Sequence, residues 1–319
     1  MKKKTIKILL TVLLILILLP FIILSLITRQ KVSFENSSYV LNNSEIIIVN
    51  DFYDEANFRN IEGIISYRDY QTPFLLIQNG NLYKEKNGLE IEKPEVFFLL
   101  NGFKHGKEVI RILDYKQLLQ KNFVLLSMDF YYPEKTDRFN VALNIGKIGL
   151  YVEKNMQLIN ALIKRLDYFD FIKHDEITFM GASLGAFVGL APCAENSEKI
   201  KRIILAYAGS DLPLIVETKI PENLKKAGVS NLVKIFAEKK FSFADPSNFI
   251  NKFTNKPVLI INGTDDATIP HEAALKLQNS FEGKDLSVVT IDGKHIGIHR
   301  NDLIEETITH VTDWIKKER

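Results

Sequence analysis

A serine flanked by glycines, Gly181-Ala182-Ser183-Leu184-Gly185, follows the apolar run Ile177-Thr178-Phe179-Met180 and precedes Ala186-Phe187-Val188-Gly189-Leu190-Ala191. An apolar strand, a tight turn and then a helix is the setting in which a serine hydroxyl is lifted clear of a sheet edge as a nucleophile. The glycines two before and two after Ser183 suit such a turn, because strand and helix approach too closely there for a Cβ. A serine hydroxyl is a weak nucleophile alone. It needs a neutral imidazole to take its proton, and an acid to orient that imidazole and stabilise its charged form.

In an α/β sheet such groups gather beyond the carboxyl ends of the strands. Downstream, the strand-type run Pro257–Ile261 leads into Asn262-Gly263-Thr264-Asp265-Asp266-Ala267-Thr268-Ile269-Pro270, and the run Leu286–Ile291 leads into Asp292-Gly293-Lys294-His295. With this order, Ser then Asp then His, the chain resembles the α/β-hydrolase superfamily. In that family the acid commonly lies in a G-x-x-D-x-x-[VI]-P pattern, which Gly263, Asp266, Ile269 and Pro270 match. The histidine commonly follows a glycine two residues earlier, as His295 follows Gly293. The resemblance covers roughly residues 94–319 and implies a triad of Ser183, Asp266 and His295. Asp265 is the neighbouring rival for the acid, Asp211 a more distant one, and His299 the rival for the base.

The same resemblance implies an oxyanion hole of two backbone N–H groups. One belongs to Leu184, directly after the nucleophile. The other comes from the loop after the strand ending at Leu100, where many members carry His-Gly and this chain carries Asn101-Gly102-Phe103. A backbone donor does not depend on its side chain, so Phe103 can still serve; His105 reads as a surface residue. The implied activity is hydrolysis of a carboxylic ester through an acyl-enzyme, with a small-molecule or lipid-like acyl substrate and no metal or organic cofactor. Cleavage of a peptide or amide, or acyl transfer, would use the same groups. A catalytically silent domain serving as an extracytoplasmic binding module is the alternative from another class.

The elements that must position these residues follow from periodicity. From Pro94 onward, apolar strand runs (Val96–Leu100, Phe123–Asp129, the run into Ser183, Ile200–Tyr207 and the two already named) alternate with helical stretches at 107–121, 148–166 and 301–317. This alternation predicts a mostly parallel, doubly wound sheet with helices on both faces. Before it, residues 45–89 hold short β-type runs such as Glu45–Val49 and Pro73–Ile77, which suit an antiparallel flank. Residues 211–255 break the alternation with two amphipathic helical stretches. The second, Asn231–Phe241, carries Leu232, Val233, Ile235 and Phe236 toward one side, and the insertion reads as a small cap beside the site. Phe236, Phe241, Phe243 and Phe249 within it suit either an acyl pocket or local core.

The first 30 residues make a separate unit. No charge occurs from Ile8 to Ile27, a length that spans the hydrocarbon of a bilayer as a helix, and Pro20 is tolerated in such a span. Lys2, Lys3, Lys4 and Lys7 precede it and Arg29 and Lys31 follow. This predicts an uncleaved single-pass anchor with the N-terminus cytoplasmic and the large domain extracytoplasmic. Residues 31–93 then form a stalk, at about 28–45, and a β region, and residues 94–319 the catalytic core. The formal charge of +2 owes four positives to those lysines, so the rest is near neutral with no basic stripe for nucleic acid. A single cysteine, Cys193, excludes an intrachain disulfide, and no Cys/His cluster suggests zinc.

Overall fold

The computed structural model describes residues 31–80, 92–102, 106–112, 118, 122–132, 147–218, 220, 222, 225, 230–297 and 300–318. Nine strands form one sheet: β1 (Ser44–Tyr53), β2 (Phe58–Tyr67), β3 (Tyr70–Asn79), β4 (Glu95–Leu100), β5 (Phe123–Met128), β6 (Lys173–Ala182), β7 (Ile200–Ala206), β8 (Val258–Gly263) and β9 (Leu286–Ile291). Their order is β1-β2-β3-β5-β4-β6-β7-β8-β9. The first three strands and the β3–β5 pair are antiparallel, and every pair from β5 to β9 is parallel. This is a mostly parallel α/β sheet, in keeping with the α/β-hydrolase fold that the sequence implies. The β region and the core are thus one continuous sheet.

Every residue of β4 and β5 is buried, which is why both are apolar apart from Glu95 and Ser127: helices cover the two faces of the sheet. On one face lie α1 (Ser37–Asn42), α2 (Ile148–Lys164) and α3 (Leu184–Glu195), packed on a core that includes Val40, Leu126, Leu158 and Leu190. The other face is covered by α6 (Asn301–Lys317), whose Ile304, Ile308, Val311 and Trp314 share a core with Phe97, Leu125 and Ile261. These spaced positions form the apolar stripe of an amphipathic helix. In contrast α3 is buried all round, from Gly185 to Ala194, and shows no polar face. Its Cys193 is fully buried, which pushes the thiol well above its ordinary range.

The structure bears out the antiparallel flank, adds a strand to it that the apolar runs do not mark, and departs from the sequence reading in two places. Residues 31–45 are not a free stalk. Gln157 Nε2 donates to Ser33 O (2.6 Å), Lys164 Nζ to Ser37 Oγ (2.7 Å) and Arg165 Nη2 to Leu41 O, so the segment lies along α2. Its Asn and Ser content reflects helix capping instead: Asn36 Oδ1 accepts from Tyr39 N at the start of α1. Strand β2 lacks a clean apolar run because Arg59, Asn60 and Glu62 interrupt it, yet it pairs along its whole length with β3. In the cap, α4 (Leu212–Thr218) and α5 (Ser230–Phe241) pack on each other, and three 3₁₀ turns then lead down to β8. The apolar side chains of α5 do not share a buried face: Leu232 and Ile235 are exposed, while Ala237 and Lys240 are buried. Phe243 joins the main core and Phe249 packs against it, while Phe236 stacks edge-on with Phe241 and both of these are half-buried.

Among the described residues no helix is long and apolar enough to cross a membrane. The apolar run Ile8–Ile27 lies outside the described residues, as do Phe103, His105, His299 and much of the stretch 107–121.

Candidate active site

Chain order reverses direction between β4 and β6: from β4 the chain moves outward to β5, then returns to β6 on the other side. Crevices outside the carboxyl ends of strands at such a reversal are where α/β sheets place ligands. Ser183 stands at this point, one residue beyond β6 and one before α3. Its backbone sits at φ 53, ψ −122, a left-handed conformation that a serine adopts only when its surroundings enforce it. Ser183 N donates to Ala206 O (2.9 Å) and Ala186 N to Ser183 O (3.0 Å), which fixes the turn from both sides. The flanking glycines are needed for space. A Cβ on Gly181 would come within 2.6 Å of Ala186 Cα, and one on Gly185 would run into the carbonyl oxygen of Leu100.

His295 lies four residues past β9 and Asp266 three past β8. Nδ1 of His295 is 2.7 Å from Asp266 Oδ2, and Nε2 is 2.9 Å from Ser183 Oγ. A carboxylate only accepts, so Nδ1 carries the proton and donates to Asp266; Nε2 is then left to accept from the serine hydroxyl. The Asp266 side chain is 3% exposed and that of His295 19%, so the acid is enclosed and the imidazole opens toward solvent. The remaining oxygen of Asp266, Oδ1, accepts from Thr268 N (2.7 Å) and Ile269 N (2.9 Å). The carboxylate is therefore held rigidly by its own loop. All three residues expected from the sequence meet here.

The rivals do not. Asp265 is exposed and offers its backbone N–H to Gly293 O (2.8 Å). Asp211 accepts from Leu214 N (3.1 Å) at the start of α4 and pairs with Lys276 Nζ (2.5 Å).

Several groups that hold this arrangement carry no sequence motif. Thr264 Oγ1 donates to Asp292 Oδ1 (2.9 Å) and accepts from Gly293 N (3.0 Å), lacing the acid loop to the histidine loop. Tyr207, at φ 51 just beyond β7, is fully buried and sets its ring edge-to-face against His295, with centroids 5.7 Å apart. Asp129, just past β5, accepts from Lys107 N (2.7 Å) and so pins the far end of the loop that follows β4. Gly106, at φ 45, lies so close that a Cβ there would strike that carboxylate. Burial pushes the Asp129 carboxyl above its ordinary value.

A Cβ built on Gly102 would lie 4.0 Å from Ser183 Cβ, so the loop after β4 borders the nucleophile, and Gly102 N is turned to Asn101 Oδ1 (2.7 Å). Leu184 is the first residue of α3, where helical N–H groups face outward without intrahelical partners. Across the site, Phe187 of α3 and Ile215 of α4 form a small apolar cluster with Ile269, Ala273 and Ala274. The cap is thus seated between the nucleophile helix and the acid loop. Among the described residues no group of His, Cys, Asp and Glu could hold a metal ion.

No protein-family model matches the sequence, and no curated protein matches it. Solved structures do match. Acetyl xylan esterase 1 from Thermoanaerobacterium sp. JW/SL YS485 superposes with a TM-score of 0.60 at 14% identity, covering 88% of this chain and 94% of that one. An acetyl xylan esterase from Paenibacillus sp. R4 gives 0.60 at 12% identity, covering 91% and 98%. Est1E from Butyrivibrio proteoclasticus gives 0.52 at 19% identity, covering 80% and 98%. At such identities the likeness is one of fold: this chain is similar to esterases in its sheet and helices.

Proposed function

We propose that the protein is a membrane-anchored serine hydrolase of the α/β-hydrolase superfamily that cleaves a carboxylic ester through an acyl-enzyme on Ser183. The observation that carries this reading is His295, which bridges Ser183 Oγ (2.9 Å) and Asp266 Oδ2 (2.7 Å) at the carboxyl edge of the sheet. The resemblance of the fold to solved esterases supports the ester over other acyl substrates.

In this mechanism Nε2 of His295 takes the Ser183 proton as Oγ bonds to the ester carbonyl carbon. The imidazolium that forms is stabilised by Asp266, whose carboxylate stays ionised. Negative charge developing on the carbonyl oxygen is met by the N–H of Leu184, at the positive end of α3, and by that of Phe103. His295 then returns the proton to the departing alkoxy oxygen, the C–O bond breaks and the alcohol leaves. Water, deprotonated by the same nitrogen, repeats the attack on the acyl-enzyme, and the carboxylic acid leaves as Ser183 regains its proton. The run Ile8–Ile27 holds the chain in a membrane, with its lysine-rich start in the cytoplasm and the catalytic domain outside.

A panel of 4-nitrophenyl esters of graded acyl length and of aminoacyl 4-nitroanilides tests the reaction class. Ester turnover that disappears in Ser183→Ala is the expected result. Turnover of the anilides without turnover of any ester would replace the esterase with an amidase or peptidase.

A further inference from the structure

The insertion between β7 and β8 presents a distinct apolar stripe at the carboxyl edge of the sheet. The exposed residues of α5 at 231, 232, 235 and 238 fall on one helical stripe, opposite buried Ala237 and Lys240. Two of the four are large and apolar, Leu232 at 53% and Ile235 at 44% exposure. Leu150, in the first turn of the adjoining α2, is also exposed. The charge of the insertion is equally distinct. Residues 212–241 hold six Lys against three Glu, whereas residues 31–319 as a whole hold 36 basic residues against 39 acidic. Several of these lysines are engaged, Lys234 with Glu217 (2.7 Å) and Lys225 with Glu222 (3.9 Å), while Lys240 is buried, and the exposed stripe itself carries Asn231 and Glu238, so what α5 offers a bilayer surface is mainly its apolar contact through Leu232 and Ile235.

The place where the domain meets its N-terminal segment points the same way. Helix α2 runs down from the carboxyl edge of the sheet, where Asn155 Oδ1 accepts from Tyr131 N just past β5 (2.6 Å). The N-terminal segment runs down beside it: Ser33 pairs with Gln157, Ser37 with Lys164 and Leu41 with Arg165. Followed backward, the chain climbs toward the carboxyl edge, the edge that carries α4, α5 and Ser183. Only Thr28, Arg29 and Gln30 separate Ile27, the end of the apolar run, from Lys31. Fully extended, that is about 14 Å from Ile27 to Lys31. A chain anchored through Ile8–Ile27 therefore holds its cap edge close to the bilayer.

We infer that the outer face of α5 docks on the surface of the membrane that anchors the chain, so that Ser183 works on acyl esters held in that surface. This rests on the proposed anchor and adds to it an orientation and a substrate location. The test uses the full chain in vesicles containing anionic phosphatidylglycerol and nitroxide-labelled lipid. Leu232→Cys carries an environment-sensitive fluorophore; Cys193 is fully buried and does not compete for the label. Tyr168→Cys, at an exposed position beyond the lower end of α2, is the reference. Severalfold stronger quenching of the Leu232 label than of the Tyr168 label is expected. Equal, weak quenching of both, with the protein still retained by the vesicles in alkaline carbonate, would overturn the docking while leaving the anchor intact. Release by carbonate would overturn the anchor, and the docking with it.

Discussion

Replacing Asp266 with asparagine separates the charge of the acid from its shape. Oδ1 of Asp266 already accepts from Thr268 N and Ile269 N, so the amide oxygen of the variant inherits both bonds and its NH₂ must face His295. An amide NH₂ only donates, so His295 Nδ1 becomes the acceptor and the ring proton moves to Nε2. Nε2 then presents a proton to Ser183 Oγ, the atom it should deprotonate. The wrong tautomer, together with the lost stabilisation of the imidazolium, costs about 10⁴ in kcat. That is ~5.4 kcal/mol of barrier at 1.36 kcal/mol per factor of ten. KM for a short ester should barely move, because Asp266 sits behind the imidazole with a 3% exposed side chain. The assay is steady-state hydrolysis of 4-nitrophenyl acetate, with thermal melts run in parallel to show that the variant is folded. A kcat within tenfold of wild type in a folded Asp266→Asn protein would refute the reasoning. If Asp265→Asn suffered the loss in its place, the acid would move by one residue.

Gly185→Ala drives a methyl group into the Leu100 carbonyl where β4 meets the elbow, so it should lower stability by about 3 kcal/mol, at the upper end of overpacking costs, and abolish turnover. A variant with an unchanged denaturation midpoint would show that the turn has slack. Asp129 binds its proton more tightly folded than unfolded, since burial raises its carboxyl above 3.8. The stability it contributes is therefore complete below about pH 4 and is lost as pH rises through the raised value. Asp129→Asn keeps an acceptor for Lys107 N without ionising, so its melting temperature should gain on wild type over that rise; a gap independent of pH would contradict this. Asp245, nearly buried, accepts from Ser210 Oγ, Ser247 Oγ and the N–H groups of Asp211, Leu212 and Ser247, tying both ends of the cap to one carboxylate. Asp245→Ala should cost at least ~2 kcal/mol in urea unfolding, because each buried group left unpaired costs about 1–3 kcal/mol. Wild-type stability in that variant would mean that the two ends are held by something else.

Strands β4, β5, β7 and β8 were legible because they are buried on both faces, so burial writes them as largely apolar runs, whereas the edge strand β9 buries only Ile291 and was legible from its β-branched residues. Ser183, Asp266 and His295 were legible because a tight turn demands glycines and each partner follows such a run directly. Strand β2 was not, since Arg59 pairs with Asp51 and Glu62 takes Asn50 Nδ2, so its polar residues are satisfied by neighbours that are remote in sequence. Tyr207 and Thr264 were hidden for the same reason: one acts through a ring contact with His295, the other through a hydroxyl shared between two loops. In helix α5 the pattern shows that the apolar residues share a side but not which way that side faces: Leu232 and Ile235 turn outward, and Ala237 and the stem of Lys240 turn inward.

The central claim is that Ser183 is the nucleophile, and the most direct measurement is the mass of the protein after reaction with a fluorophosphonate. One phosphonyl group should add per chain, map by peptide fragmentation to Ser183, and be absent from folded Ser183→Ala. Labelling that maps elsewhere, or ester hydrolysis that continues undiminished in Ser183→Ala, would contradict the account.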